Sequence, residues 1–278
     1  MIKIVTDSSA DLPPQLASEV GVEVVPLYVR FGEEVYRERV DISDEEFYEK
    51  LQRGPIHPVT IQPGPADFAN VYERLSQEAD GIVSIHISSR LSGTCNSALQ
   101  AKRIVEKRCP IEVVNSKVAT VGLGLISIAA AAVANAGGSL QQVLEEVAQS
   151  IPQIHLMGLV DTLKYLALGG RIGKAKALLG SILNVKPLLT LKDEEVIPAG
   201  QARTRARGLD KLFDFVKNAV NIQDLAVAYS TTLNEAQLLV ERLGSILLKE
   251  QTRLVRLGTT LGVHMGPGAL AIGFRERT

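Results

Sequence analysis

The sequence predicts an α/β protein of two domains, the N-terminal one with a largely parallel sheet flanked by helices and the C-terminal one an α+β domain with a mixed sheet. Three observations predict it. Short apolar runs of strand length alternate with stretches of helix length in the first half, the pattern of strands joined by helical crossovers. The 278 residues exceed the usual size of one compact domain. Beyond Ile151-Pro152 two strand-like runs instead flank a charged turn, as antiparallel neighbours do. The expected domains are therefore 1–152 and 153–278.

Residues 2–5 form a short apolar strand that delivers Thr6-Asp7-Ser8-Ser9 at its C-terminal end, where ligands sit in open α/β sheets. A short helix over 13–20 follows, then a strand over 23–29 and an exposed extension or hairpin over 33–39. Ser43-Asp44-Glu45-Glu46 has the Ser-x-x-Glu form of a capping box and opens a helix to about Leu51. A loop over 55–65 leads to a helix over 66–77, a strand over 81–87, a helix from about Leu91 to Lys107 and a strand over 111–114. The segment 118–144 carries no charge, yet its alanine, glycine, serine and threonine content is too high for stable membrane insertion. It reads as a buried, alanine-packed helix. In the second half, strands are expected over 154–160 and 186–191, then, after a charged turn over 192–195, a return strand to about Ala199, with further strands over 225–229 and 254–257. Helices are expected around 161–168 and over 174–183, 205–218 and 235–249.

Composition narrows the function classes. Lys+Arg 30 against Asp+Glu 31 leaves a net charge of -1, which gives no sign of nucleic-acid binding. Cys95 and Cys109 cannot build a disulfide framework, and the opening MIKIVTDSS begins a strand rather than a signal peptide, so a reducing cytoplasm is expected. With aromatics at 4% and no Trp, the cores are filled by Leu, Ile, Val and Ala, a composition that suits an aliphatic cavity. There is no Walker loop, and Gly122-x-Gly124 lacks the rest of a dinucleotide fingerprint. His57, His86, His155 and His264 are scattered without metal-ligand spacing, so neither metal nor cofactor is expected. Arg203, Arg205 and Arg207 gather at a helix start, most simply a solvated face.

Three polar features lie beside glycine or proline punctuation: Thr60 in Pro58-Val59-Thr60-Ile61-Gln62-Pro63, the run Ser88 to Thr94, and His264 in the run Gly262 to Gly268. Ser92, Gly93 and Thr94 sit where a strand passes into a helix, and the unpaired N–H groups there favour an anion. Taken singly, Ser92 reads equally well as a helix cap, whereas a lone Thr60 is more often a loop residue and a lone His264 more often a structural histidine.

Taken together they resemble the DegV family. The resemblance rests on Thr6-Asp7-Ser8-Ser9-Ala10-Asp11-Leu12, Thr60-Ile61-Gln62-Pro63, Ser88-Ser89-x-Leu91-Ser92-Gly93-Thr94, Gly169-Gly170-Arg171-Ile172 and His264-x-Gly266-Pro267-Gly268, in order along nearly the whole chain. It implies a non-catalytic protein that binds one long-chain fatty acid, palmitate-like, and presents the carboxylate to a separate ATP-using fatty acid kinase subunit. Thr60 and Ser92 would hydrogen-bond the carboxylate, with Gly93 and Thr94 at the helix start and His264 at the mouth. Arg171 and Arg203 would face the kinase. Ile61 and Gly64 stand where the family pattern usually has Ser, and Cys95 where an aromatic is common. Burying a methylene is worth about 0.8 kcal/mol, so roughly fourteen would supply on the order of 10 kcal/mol before ordering costs. The alternatives are a lipid carrier with no kinase partner and an esterase or thioesterase built on Ser92, His264 and Asp7. The esterase lacks the Gly-x-Ser-x-Gly elbow.

Overall fold

The computed structural model describes residues 1–105, 108–178, 185–247 and 252–277. Strand β1 (Ile2–Asp7) lies inside a parallel sheet and is buried at every position but Lys3, with Ile2, Ile4 and Val5 as its apolar residues. With β2 (Val22–Val25), β6 (Gly81–His86) and β7 (Ile111–Asn115) it forms the order β2-β1-β6-β7, every pair parallel. Helices α3 (Pro65–Leu75) and α4 (Thr94–Ile104) cover one face through Phe68, Tyr72, Ala98 and Ala101. The other face meets α5 (Thr120–Asn135), with α6 (Leu140–Gln153) packed beside it. The strand order reverses between β1 and β6, so the loops after Asp7 and His86 share one crevice.

Between β2 and α3 the chain makes a second, antiparallel sheet of order β4-β3-β5 from β3 (Tyr28–Phe31), β4 (Glu34–Arg37) and β5 (Val59–Ile61), backed by α2 (Asp44–Arg53). The single strand expected over 23–29 is thus two strands in different sheets. Pro26, which has no N–H to donate, lies between them. The loop expected over 55–65 contains β5. The helix expected from Leu91 starts at Thr94, because Leu91 and Ser92 close a turn onto the Ser88 carbonyl. The capping box at Ser43 and Glu46 is present.

The second half is a six-stranded mixed sheet of order β10-β9-β8-β13-β11-β12. Its strands are β8 (Ile154–Leu159), β9 (Lys186–Lys192), β10 (Glu195–Ala202), β11 (Ile222–Tyr229), β12 (Thr252–Arg256) and β13 (Leu270–Glu276). Among the described residues of this sheet, only β11 and β12 pair in parallel. Helices α8 (Arg205–Lys217) and α9 (Leu233–Leu243) cover one face. Short α7 (Lys164–Leu168) and α10 (Thr259–Met265) are the other α-helices among the described residues of this half. Strand β13 and helix α10 had no counterpart in the sequence reading, although β13 is central. Residues 173–178 form a 3-10 turn rather than the start of an α-helix, and the expected helical positions 106–107, 179–183 and 248–249 lie outside the described residues.

Helix α5 explains the uncharged segment. It lies between the two large sheets, touching β1 on one side and β11 and β13 on the other, so it has little face left for water. One apolar cluster runs through it from Ile4 and Val83 to Leu189, Ala228 and Ala271. Among the described residues no helix is long and apolar enough to cross a membrane.

Candidate functional site

A cavity of about 180 Å³ opens where the crevice of the parallel sheet meets the inner face of the mixed sheet. That is room on the order of a dozen waters. Its wall is mostly aliphatic, with Ile87 and Leu91 from the loop after β6 facing Leu156, Leu189, Leu191 and Ala271 of the mixed sheet. Four threonines also line it, and the hydroxyls of three of them already donate to other groups. Thr120 Oγ1 donates to Asp11 (2.6 Å), Thr190 Oγ1 to the Leu156 carbonyl (2.7 Å) and Thr260 Oγ1 to Glu38 (2.7 Å). What they leave for a ligand is chiefly their methyl groups.

The remaining polar lining residues are Thr60, Gln62, Ser92, Arg171 and His264. Strand β5 alternates, so Val59 and Ile61 are exposed while the Thr60 side chain turns inward to meet His264 Nε2 at 3.2 Å. His264 lies in the last turn of α10, and its Nδ1 is buried without a partner. An unpaired ring nitrogen costs less as a bare acceptor than as a stranded N–H, which places the proton on Nε2, donating to Thr60 Oγ1. Burial, followed by the charges of Arg171 and His57, lowers the His264 pKa to about 4, so the ring is neutral near pH 7. A side chain on Gly169 would collide with that ring, its Cβ 2.1 Å from Nδ1.

Ser92 lies just before α4, whose cap is Gly93. Ser92 Oγ accepts from the Thr94 N–H (3.3 Å) and shares a hydrogen bond with Thr94 Oγ1 (2.8 Å). Thr60, Gln62, Ser92, Arg171 and His264 all reach the cavity. Gly93 and Thr94 stand behind it. Thr94 is fully buried, and Gly93 leaves room for the Gln62 side chain, which donates to Ser97 Oγ (3.1 Å). Arg171 spans the rim, donating to the Leu91 carbonyl (3.1 Å) and the Gly169 carbonyl (2.9 Å). Arg203 is exposed ahead of α8 and does not line the cavity, whereas Arg205 is held by Glu235 and Asp161.

The family model described as "Uncharacterised protein, DegV family" matches residues 1–277. The chain belongs to the DegV family. It is 38% identical to a DegV domain-containing protein of Deinococcus radiodurans, covering 98% of this chain and 97% of that one. Among solved structures it is similar to a fatty-acid-binding DegV family protein from Thermus thermophilus, with TM-score 0.92, 35% identity and 99% of each chain covered. It is also similar to a stearic-acid-binding protein from Eubacterium ventriosum, with TM-score 0.88, 28% identity and coverage of 99% and 98%.

Within this DegV-family fold the triad considered from sequence is not assembled. Asp7 is wholly buried and takes His86 Nδ1 (3.0 Å) and the Ile87 N–H (3.1 Å), so its histidine is His86 and not His264. His86 Nε2 then meets Ser84 Oγ at 2.7 Å, also fully buried. Two carboxyls behind the cavity, Asp11 and Glu38, were not among the expected site residues; Asp11 lies in the quoted run Thr6 to Leu12, and Glu38 carries no sequence signal of its own. Glu38 accepts from Ser8 Oγ (2.5 Å) and the Thr260 N–H (3.1 Å), and Asp11 from the Gly258 N–H (2.8 Å). Burial outweighs the nearby Arg39 charge and raises both, Asp11 to about 7. Thr120, which bonds Asp11, starts α5 at φ 51°, a strained conformation for a β-branched residue.

Proposed function

We propose that this chain binds one long-chain fatty acid in the cavity and presents its carboxylate to a separate ATP-dependent kinase subunit. The observation that carries the reading is the division of the cavity lining: aliphatic side chains and threonines with engaged hydroxyls on most of it, with the Thr60–His264 pair and Ser92 as polar side chains of the same lining. The fatty-acid and stearic-acid binding named for the two solved relatives supports it. The tail supplies affinity by burial. The carboxylate needs donors to offset its desolvation. Thr60, receiving the His264 Nε2–H, is free to donate its own hydroxyl hydrogen to the carboxylate, and Ser92 offers a second. With the head group held at the rim, a carboxylate oxygen attacks the γ-phosphorus of ATP held by the partner, giving acyl phosphate and ADP. Arg171 and Arg203 are the cations assigned to that partner.

The test has two stages. Denaturing extraction and mass spectrometry should recover long-chain fatty acid from the purified protein, and added palmitate should bind at one per chain. Thr60→Val and Ser92→Ala should each weaken binding roughly ten- to a hundredfold. Folded protein that neither carries nor takes up fatty acid would overturn the reading. Arg203→Glu should spare lipid binding and remove phosphorylation by the cognate kinase. An unchanged phosphorylation rate would leave a carrier rather than a presenting subunit.

A further inference from the structure

The loop that carries Ser92 is held by the opposite half of the chain. Strands β9 and β10 are joined by a two-residue turn at Asp193 and Glu194, and the same hairpin supplies Thr190, Leu191 and Val196 to the cavity wall. At its tip, Glu194 Oε2 accepts from Ser88 Oγ (2.9 Å) and from Asn115 Nδ2 (2.9 Å). Asn115 Oδ1 in turn accepts from the Ser89 N–H (3.2 Å), and Arg90 donates to the Asp193 carbonyl (3.1 Å). Ser88 is fully buried, and its carbonyl receives the Leu91 and Ser92 N–H groups (3.0 and 3.1 Å). A continuous path of hydrogen bonds therefore leads from Glu194 through Ser88 to Ser92.

The turn itself is unfavourable for its sequence. Asp193 and Glu194 both have positive φ, 51° and 65°, as a tight type I′ hairpin requires, and the second position prefers glycine. A glutamate held there costs turn stability that glycine would not, so its side chain has another use.

We infer that Glu194 is a positioning residue for the head-group site, clamping the Ser88–Ser92 turn from the hairpin that also walls the tail cavity. The inference rests on the proposed lipid reading for its ligand, but the clamp has a ligand-independent consequence as well. Without the Glu194 carboxylate, the amides of residues 88–92 exchange faster. Ser92 also meets the carboxylate less well, while the tail contacts persist.

Glu194→Gly separates positioning from stability, because Asp-Gly is a favoured type I′ pair. Its melting temperature should equal or exceed that of the wild type. Amide exchange at 88–92 should nonetheless accelerate about tenfold, and the preference for palmitic acid over its methyl ester should fall about tenfold, the scale of one lost charge-assisted hydrogen bond. Glu194→Gln keeps an acceptor and should restore most of the preference. Equal weakening toward acid and ester, or unchanged exchange at 88–92, overturns the clamp. If the wild type binds no fatty acid, the lipid reading fails by itself, and the exchange rates of the ligand-free variants alone decide for or against the clamp.

Discussion

Asp11 and His264 titrate in opposite senses across one pH window. Asp11 holds its proton in the folded protein up to about pH 7, against an ordinary value of 3.8. Between those values the native state binds more protons than the unfolded chain, so this residue's contribution to stability falls as pH rises from about 4 to about 7, by on the order of 4 kcal/mol. Glu38, also raised by burial, acts in the same direction. His264 is lowered from 6.5 to about 4, so in that interval the unfolded chain binds more protons. Its contribution falls instead as pH drops from about 6.5 to about 4, by about 3 kcal/mol. The two slopes offset in the wild type. Urea unfolding at several pH values should therefore show the stability of Asp11→Asn, relative to wild type, climbing as pH rises from 4 to 7. For His264→Gln the relative stability should climb as pH falls from 6.5 to 4. Curves parallel to the wild type would refute both assignments, whatever constant offset the lost hydrogen bonds add.

At the scale of elements, α5 decides how closely the two sheets approach. Gly124 sits where the helix crosses the turn after β1, and a Cβ there would lie 2.6 Å from the Ala10 carbonyl oxygen, a backbone atom that cannot swing aside. Gly124→Ala would gain about 1 kcal/mol of helix propensity and lose more to overpacking. A net destabilisation of about 1–2 kcal/mol in denaturant unfolding is expected, and a more stable variant would show that α5 is not fixed there. The Gly122-x-Gly124 pair, unexplained as a nucleotide motif, is thus a packing device. Other elements were legible for equally local reasons. Short runs rich in Ile and Val marked β1 and β6, and Ser43 with Glu46 marked the start of α2. The elements that escaped are those whose signal is not local. Strand β13 follows Gly266-Pro267-Gly268 and has Gly273 in its interior, and α10 is short with Gly262 in its middle, so neither shows a clean period. Thr60, Ser92 and His264 could be singled out by their neighbours in sequence, but the engaged hydroxyls of Thr120, Thr190 and Thr260 depend on contacts between distant segments.

For the whole molecule, the question is whether residues 1–152 and 153–278 fold as separate bodies. The main core argues against it. Leu123, Ile126 and Ala130 of α5 share one apolar cluster with Ala226, Ala228 and Ala271 of the mixed sheet, and the cavity takes its lining from both halves. Polar links cross as well: Arg39 donates to the Arg256 carbonyl (2.8 Å), Glu38 accepts from Thr260, and Glu194 from Ser88. Cutting the chain at 152 would leave α5 with one apolar side in water, where burial at about 25 cal/mol per Å² no longer offsets the entropy of ordering it. The fragment 1–152 is therefore expected to be poorly packed or aggregated. The full chain should unfold in one step, with exchange in β7 and β11 sharing a single urea midpoint. A bound fatty acid, seated between the halves, should raise that midpoint for both together, by about 2.7 kcal/mol when free ligand is a hundred times its Kd. Two separate midpoints, or a shift confined to one sheet, would mean that α5 belongs to the parallel sheet alone and that the cavity is a seam between independent domains.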